Sequence, residues 1–559
     1  MKVFLLLFLQ KKKNLPCPAC LPYIARMIRL TELRLKLDHD EDALREAAEA
    51  RLGPVRAVHV ARRAHDARNR AAIRFSYTLD VEVDDEAGVL ARHVGDRHVG
   101  LAPDATYRFV GRAPASGWRR PVVIGTGPCG LFAALVLAQM GFRPIVLDRG
   151  RVVRERTKDT WGLWRRGVLK PESNVQFGEG GAGTFSDGKL YSQIKDPGHR
   201  GRKVLEEFVR AGAPEEILWV AKPHIGTFRL VSMVEHMRAG IEALGGEYRW
   251  QSKVVDLELD ERHGVRGVVL EGGERIATEH VVLAVGHSAR DTFAMLDARG
   301  VAMVAKAFSI GVRIEHPQSL IDRARFGAFA GDARLGAADY KLVHHCGNGR
   351  SVYSFCMCPG GTVVAATSEE GRVVTNGMSQ YSRNERNANA GIVVGVDPSD
   401  YPGGALAGIA FQRHWESRAF AAGGGNYEAP GQLVGDFLAG RASTAFGSVV
   451  PSYKPGVHLT DLALCLPDFV VAAIREALPH FGRVIPGFDM ADAVMTGVET
   501  RTSSPLRMPR DAGLQSPGTA GLFPAGEGAG YAGGILSAGV DGIRAAEAVA
   551  ASILGRAAA

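Results

Sequence analysis

Residues 121–150 read PVVIGTGPCGLFAALVLAQMGFRPIVLDRG. Three apolar residues, Val122 to Ile124, run into Gly125-Thr-Gly127-Pro128-Cys-Gly130; an apolar helical stretch follows, and a second apolar run ends in Asp148. A glycine triplet of this spacing carries little weight alone. Set between a buried-type strand and a helix, with an acid closing the next strand, it is the complete βαβ unit of a dinucleotide-binding fold. Gly125 makes the tight turn, Gly127 with Pro128 lets a pyrophosphate approach the backbone, and Gly130 lets helix and strand pack closely. The phosphates would rest on the helix N-terminus, where unpaired N–H groups and the dipole favour negative charge. Asp148, followed by Arg149, is placed to accept hydrogen bonds from a ribose.

Which dinucleotide is bound is decided at the other end of the chain. Residues 518–554, GTAGLFPAGEGAGYAGGILSAGVDGIRAAEAVAASIL, give a short strand, then Gly526-Glu527 and a glycine-rich turn, then a long helix of small residues. The stretch resembles one in flavoproteins of the glutathione-reductase type, where an acid at the place of Glu527 holds a ribityl hydroxyl of FAD. By the same likeness the helix would aim its start, at Gly533, Gly534 and Ile535, at the flavin ring. HVVLAVGHSARDT (280–292), with Gly286, matches the strand and turn by which that superfamily returns to its FAD domain.

Further motifs extend the resemblance: GEGGAGTFSDGKL (178–190), KPHIGT (222–227), SIGVRIEHPQ (309–318), FCMCPGG (355–361), SEEGRVVTNGMS (368–379) and ETRTSSPLR (499–507). From about Met27 onward the sequence resembles the family of FAD-dependent dehydrogenases, NAD(P)/FAD-dependent oxidoreductases with an FAD-dependent protein C-terminal domain. The resemblance implies FAD as cofactor and an oxidoreductase, and it names no substrate. The loop NVQFGEGGAGTFSDGKL (174–190) has no strand before it, so it is not a second phosphate cradle. In the superfamily such a segment passes the pyrophosphate and the ring, which would give that place to Gly180, Gly181, Gly183, Ser186 and Lys189.

Length and composition are those of a soluble globular protein of two or three domains. The chain has 559 residues, of which 46% are hydrophobic and 23% charged, and a formal net charge of +8. Sixty-eight glycines are about 12% of the chain against a usual share of roughly 7%, so many loops need close backbone approach. Seven unevenly spaced cysteines do not make a disulfide framework, and a reducing cytoplasm is the simpler compartment. The apolar run in MKVFLLLFLQKKK is too short to span a membrane and lacks a cleavage site. Residues 1–26 therefore read as an extension ahead of a start at Met27, and Cys17-Pro-Ala-Cys20 within it carries little weight.

From Ile28 the pattern is strand, helix, strand, then AAIRFSYTLDVEV with strict alternation, a short helix near 86–94 and a strand at TYRFV (106–110). This βαββαβ order predicts a ferredoxin-like module over residues 27–112. Its turn ARRAHDARNR places Arg62, Arg63, Arg68 and Arg70 together, as a solvated loop or as a contact for phosphate, RNA or a partner. Residues 111–120 read as a linker.

The fold class expected is α/β. A discontinuous Rossmann-like FAD domain would be built from 119–195, 245–292 and 516–556, with an α+β substrate domain at 293–515 and the ferredoxin-like module ahead of both. No second glycine fingerprint occurs in 293–515, so NAD(P)H, if used, would bind transiently against the flavin. Candidate catalytic groups are Cys356 and Cys358, whose side chains in a regular strand would share one face, and Arg501, suited to an anionic or carbonyl-bearing small molecule. Lys222, His224 and His287 are further polar candidates. An RNA-directed flavoenzyme and a flavin-bound sensor without turnover are the alternatives.

Overall fold

The computed structural model describes residues 27–556; the Cys17/Cys20 pair lies outside them. One compact unit is the chain up to Arg63 with Arg74–Asp104, and the other is Ala64–Ile73 with the chain from Ala105 onward. In the first, the strands Ile28–Lys36, Ala57–Asp66, Arg74–Glu82 and Val99–Leu101, interleaved with the helices Ala43–Leu52 and Glu86–Arg92, form one sheet. The spatial order is second, third, first, fourth strand, and the first strand pairs antiparallel with both the third and the fourth. Alternation drives the packing: Phe75, Tyr77, Leu79 and Val81 are buried and their neighbours partly exposed.

Two expectations for this region are corrected. The fourth strand is Val99–Leu101, paired with Ile28–Leu30, and TYRFV is not a strand. That segment belongs to the second unit, where Tyr107 donates a hydrogen bond to Glu547 at 3.0 Å and packs with Val110 on the core. The four arginines do not share one turn, because the second strand runs on through ARRAHD. Arg62 and Arg63 stand on that strand, the Arg63 guanidinium 5.0 Å over Phe75, whereas Arg68 lies beyond it and bonds Asp66 at 2.8 Å.

The second unit is built on a parallel sheet of five short strands in the order Leu522–Pro524, Val281–Leu283, Val122–Ile124, Ile145–Leu147, Glu247–Arg249. Both faces are covered, as a parallel sheet requires, so the four strands other than Glu247–Arg249 are apolar throughout. The helices Pro128–Gln139 and Ile535–Ile553 pack against one side, joined by Arg200–Arg210 and Thr227–Ala243 from the stretch between the segments assigned from sequence. A second, eight-stranded sheet spans residues 308–499, with Phe308–Pro317 at its centre between Asn387–Val396 and Val494–Glu499. None of the helices among the described residues is long and apolar enough to cross a membrane.

The contact between the two long helices rests on glycine. A Cβ on Gly542 would lie 2.1 Å from the Cys129 carbonyl oxygen, and one on Gly539 3.0 Å from the Phe132 ring. Gly240, in the exposed part of another helix, has nothing within 4 Å. Gly542→Ala is therefore expected to destabilise the fold by about 1–3 kcal/mol through overpacking. Gly240→Ala is expected to be neutral or stabilising by up to about 1 kcal/mol; urea unfolding of both variants checks the contrast.

His316, at the end of the central strand, is wholly buried; its Nε2 donates to the Phe488 carbonyl at 2.6 Å and its Nδ1 has no partner. A second proton would leave a buried donor unpaired, and burial draws the pKa from 6.5 to about 4. Between those values the unfolded chain takes up a proton that the folded one refuses, so stability falls as pH falls. The loss from this group is expected to reach at most about 3 kcal/mol. Urea midpoints at about pH 7 and about pH 4.5 check it: the drop should shrink in His316→Leu, and an unchanged drop assigns it elsewhere.

Candidate functional site

Ile124, Leu283 and Pro524 stand side by side in parallel register. From each strand end the chain passes into a glycine-bearing turn: Gly125 to Gly130, Ala284 to Ser288, and Ala525 to Gly534. Together with the glycine loop 174–190 they bound a cleft of about 1520 Å³, its open mouth included. Its lining runs from Asp148 and Arg149 through the glycine turns to Cys356 and Asn376, so the cleft suits an extended ligand.

Of the residues singled out in the sequence, Gly125, Gly127, Pro128, Asp148, Arg149, Gly181, Gly183, Ser186, Lys189, Gly286, Glu527, Gly534 and Ile535 line this one cleft, with Cys356 and Arg501. Gly130, Gly180, Gly526, Gly533 and Cys358 do not line it. Gly130 answers a packing demand, since its Cβ would lie 1.9 Å from the Gly125 carbonyl oxygen; Gly180 and Gly526 take positive φ and abut Thr184 and Cys129. Lys222 pairs with Asp339 at 2.6 Å and His224 bonds the Tyr381 carbonyl at 2.9 Å; neither lines the cleft.

Three of the lining glycines have room beside them, unlike Gly125, Gly181 and Gly183, which stand against protein atoms. Gly127 has extended backbone that any residue could adopt, and a Cβ there would meet only the Gly181 Cα, at 3.7 Å. Gly286 and Gly534 also have nothing within 4 Å, but their φ of +72° and +100° calls for glycine by itself. No protein neighbour forbids a side chain at Gly127, so what the absent side chain leaves is room for a ligand. Two helix starts, at Pro128 and Ile535, open onto the same space and supply unpaired N–H groups.

The polar lining is held from within the protein. Asp148 accepts from the Thr126 N–H at 3.0 Å and the Gly150 N–H at 2.8 Å, tying the fingerprint turn to the neighbouring strand. Arg149 lies 4.3 Å over the Phe177 ring and bonds Asp291 at 2.7 Å and Glu172 at 2.9 Å. His287 is nine-tenths buried with neither ring nitrogen hydrogen-bonded, and its Nδ1 stands 3.4 Å from Glu527. Lys189 donates to the Met357 carbonyl and lies 3.1 Å from Asp187. Burial pushes the Asp187 carboxyl up, but Lys189 and Arg383 outweigh it and hold the group well below the usual range.

Arg501 corrects the expectation of an anion clamp. Its guanidinium donates to Ser288 at 3.0 Å, to Ser368 at 2.7 Å, and to both oxygens of the fully buried Glu416 at 3.1 and 3.2 Å. Arg290 bonds the same carboxylate at 2.7 and 2.9 Å. These donors satisfy buried charge and leave no bidentate face for a substrate.

Cys356 and Cys358 do not share a face. The strand Ser351–Ala365 changes register between Phe355 and Cys358, and Cys356 has φ +42°. This bulge breaks the two-residue alternation, so Cys356 lines the cleft while Cys358 is buried behind it.

Sequence reasoning missed Arg156, which is wholly buried under the glycine loop. It donates to the carbonyls of Asn174 and Val175 at 2.7 Å, Gly178 at 3.3 Å, Glu179 at 2.6 Å and Gly181 at 2.9 Å. A loop without strand or helix partners has its carbonyls paired this way, while burial draws the guanidinium down to about 10. An arginine in an amphipathic helix gives no sequence signal of that role.

Comparison with known proteins agrees with this site. Residues 307–502 match the sequence model of a family described as FAD-dependent protein, C-terminal domain-like, and residues 27–82 that of a domain of unknown function, DUF8436. Over 526 residues the chain is 46% identical to an uncharacterized protein of Clostridium beijerinckii, covering 93% of this chain and 98% of the relative. The chain belongs to the family of this relative, a family of FAD-dependent proteins, and its cofactor is FAD. Similar solved structures include L-proline dehydrogenase from P. horikoshii, 12% identical over 78% of this chain and 94% of that one, TM-score 0.36. Glycine oxidase from Geobacillus kaustophilus is 12% identical over 78% and 95%, TM-score 0.34. At such TM-scores the likeness bears no weight for the reaction.

The residues present fit FAD: open glycines beside two helix starts, and buried ring nitrogens of His287 without protein partners. Gly127→Ala should fold with an unchanged thermal midpoint, since its backbone and neighbours admit a methyl group. It should also weaken FAD binding at least tenfold, about 1.4 kcal/mol or more, by blocking the phosphates. Fluorescence titration of the apoprotein with FAD reads the loss; equal affinity would free Gly127 from cofactor binding.

Proposed function

We propose that this protein catalyses two-electron transfer between a small organic substrate and FAD held in the cleft. The observation that carries the reading is Gly127, a lining glycine that neither its backbone nor a protein neighbour requires, beside the helix starts at Pro128 and Ile535. FAD supplies the redox chemistry when bound. The chain's own groups then bind and orient it. Gly127 and the start of the helix at Pro128 would receive the pyrophosphate, Glu527 and His287 the ribityl chain, and Asp148 and Arg149 the adenosine end.

At the other end Lys189, the first turn at Ile535 and Cys356 line the space together. The ammonium and the helix start favour negative charge developing there, as on a reduced ring. Phe355, Asn376 and Thr502 also line the cleft and would shape the substrate's place. Arg62 and Arg63 stand on a strand and Arg68 lies beyond it, bonded to Asp66, so the single arginine turn on which the RNA-directed alternative drew is not formed.

Purified protein should be yellow, with the absorption of oxidised flavin, and anaerobic mixing with NADH or NADPH in a stopped-flow instrument should bleach it if either is the donor. A flavin that no nicotinamide or dithiol reduces, yet whose chemical reduction changes affinity for a partner, would favour a sensor. A colourless protein that takes up no FAD would overturn the proposal.

A further inference from the structure

The segment Cys356-Met357-Cys358 is built unlike the rest of its strand. In a regular strand, residues two apart are separated by about 6.6 Å or more and their side chains run parallel, a poor start for a disulfide, whose Cα atoms lie roughly 4.4–6.8 Å apart with the Cβ atoms converging. Here the bulge and the positive φ of Cys356 break that regular spacing and parallel arrangement. The Cys358 S–H donates to the Cys356 carbonyl oxygen at 3.3 Å, so its sulfur stands beside residue 356. A positive φ on a side chain other than Gly or Asn is costly and is kept where the surroundings enforce it.

Two cations enforce it. Lys189 bonds the Met357 carbonyl, and Arg313, wholly buried, bonds the Cys356 carbonyl at 2.9 Å. Gly377 leaves room behind the pair: a Cβ there would lie 2.5 Å from the Arg313 guanidinium and 3.0 Å from the Cys358 sulfur. The hydrogen bond from Cys358, with Lys189 and Arg313 close by, holds the Cys356 thiol well below its ordinary range, while Cys358 is pushed up. Burial pushes the three other described cysteines, Cys129, Cys346 and Cys465, up. Cys356 alone among the described cysteines thus both lines the cleft and is drawn toward the thiolate, the form that reacts.

We propose that Cys356 and Cys358 are a redox-active dithiol that forms a disulfide by exchanging two electrons with the FAD of the same cleft. The proposal rests on the FAD reading given above. In the oxidising direction, the Cys356 thiolate and the Cys358 thiol together lose two electrons and one proton as the S–S bond forms. Both electrons and the proton pass to oxidised FAD, and the reverse step consumes reduced FAD and restores thiolate and thiol. Cys356, at the cleft surface, is the sulfur that an incoming thiol or disulfide can reach; Cys358, behind it, resolves.

The test uses the FAD-loaded protein. Anaerobic reductive titration should consume about four electrons per FAD in the wild type, two for the flavin and two for the disulfide, and about two in Cys356→Ser and Cys358→Ser. Alkylation after denaturation, read peptide by peptide so that Cys17 and Cys20 are scored separately, should leave both Cys356 and Cys358 unlabelled in the oxidised protein and labelled in the reduced one. Two-electron uptake by the wild type with both thiols labelled in the oxidised protein would overturn the dithiol and leave the FAD reading intact. A protein that binds no FAD would overturn both. Because the labelling reads the wild type, the test stands even if the serine variants do not fold.

Discussion

The site exists because three strands end level. Val122–Ile124, Val281–Leu283 and Leu522–Pro524 pair in parallel with Ile124, Leu283 and Pro524 abreast, so turns from residues 125, 284 and 525 leave one edge of the sheet together. Parallel pairing makes this possible, since every strand then points its C-terminal end the same way, and ligands gather outside those ends. A shift of register would carry one turn away from the others and expose a buried strand face. The close approach of Gly542 to the Cys129 carbonyl serves the same end by bringing the second helix start beside the first.

Buried charge is the second organising element, and each case is resolved locally. Arg156 is bonded to five backbone carbonyls of the glycine loop, and Arg290 and Arg501 share Glu416. Arg313 meets Glu499 at 2.7 Å, with Asn376 and Asn389 taking further donors. A buried guanidinium left short of acceptors would cost several kcal/mol, so these groups fix the loops and strands around them. The cleft is thereby lined by parts that cannot move independently: the glycine loop through Arg156, the turn at Ser288 through Arg501, and the cysteine segment through Arg313 and Lys189.

Much of this was legible in the chain. The fingerprint at 125–130, the turn at 284–288 and the stretch 518–554 announce themselves through apolar runs broken by glycine at fixed offsets, and all three meet at the cleft. What could not be read depends on neighbours distant in sequence. TYRFV has the composition of a strand, yet Tyr107 finds Glu547, 440 positions away. Arg501 sits in a hydroxyl-rich segment suited to an anion, yet Glu416 occupies its donors. Arg156 carries no signal, because its partners are backbone carbonyls that any sequence supplies.

By itself the sequence determined the class of protein: a dinucleotide-binding βαβ unit, a C-terminal strand and helix of the flavoprotein kind, and an α/β fold with a βαββαβ module ahead of it. These follow from local rules, because glycine positions and hydrophobic period act within one element and its turn. Only the tertiary structure decided which of the marked residues share a space and how their side chains are spent. Cys356 and Cys358 show the difference: the period of a strand puts them on one face, and a bulge held by Lys189 and Arg313 turns one into the cleft and sets the other behind it. Such a bulge is paid for by contacts between segments more than forty residues apart, which no local pattern contains.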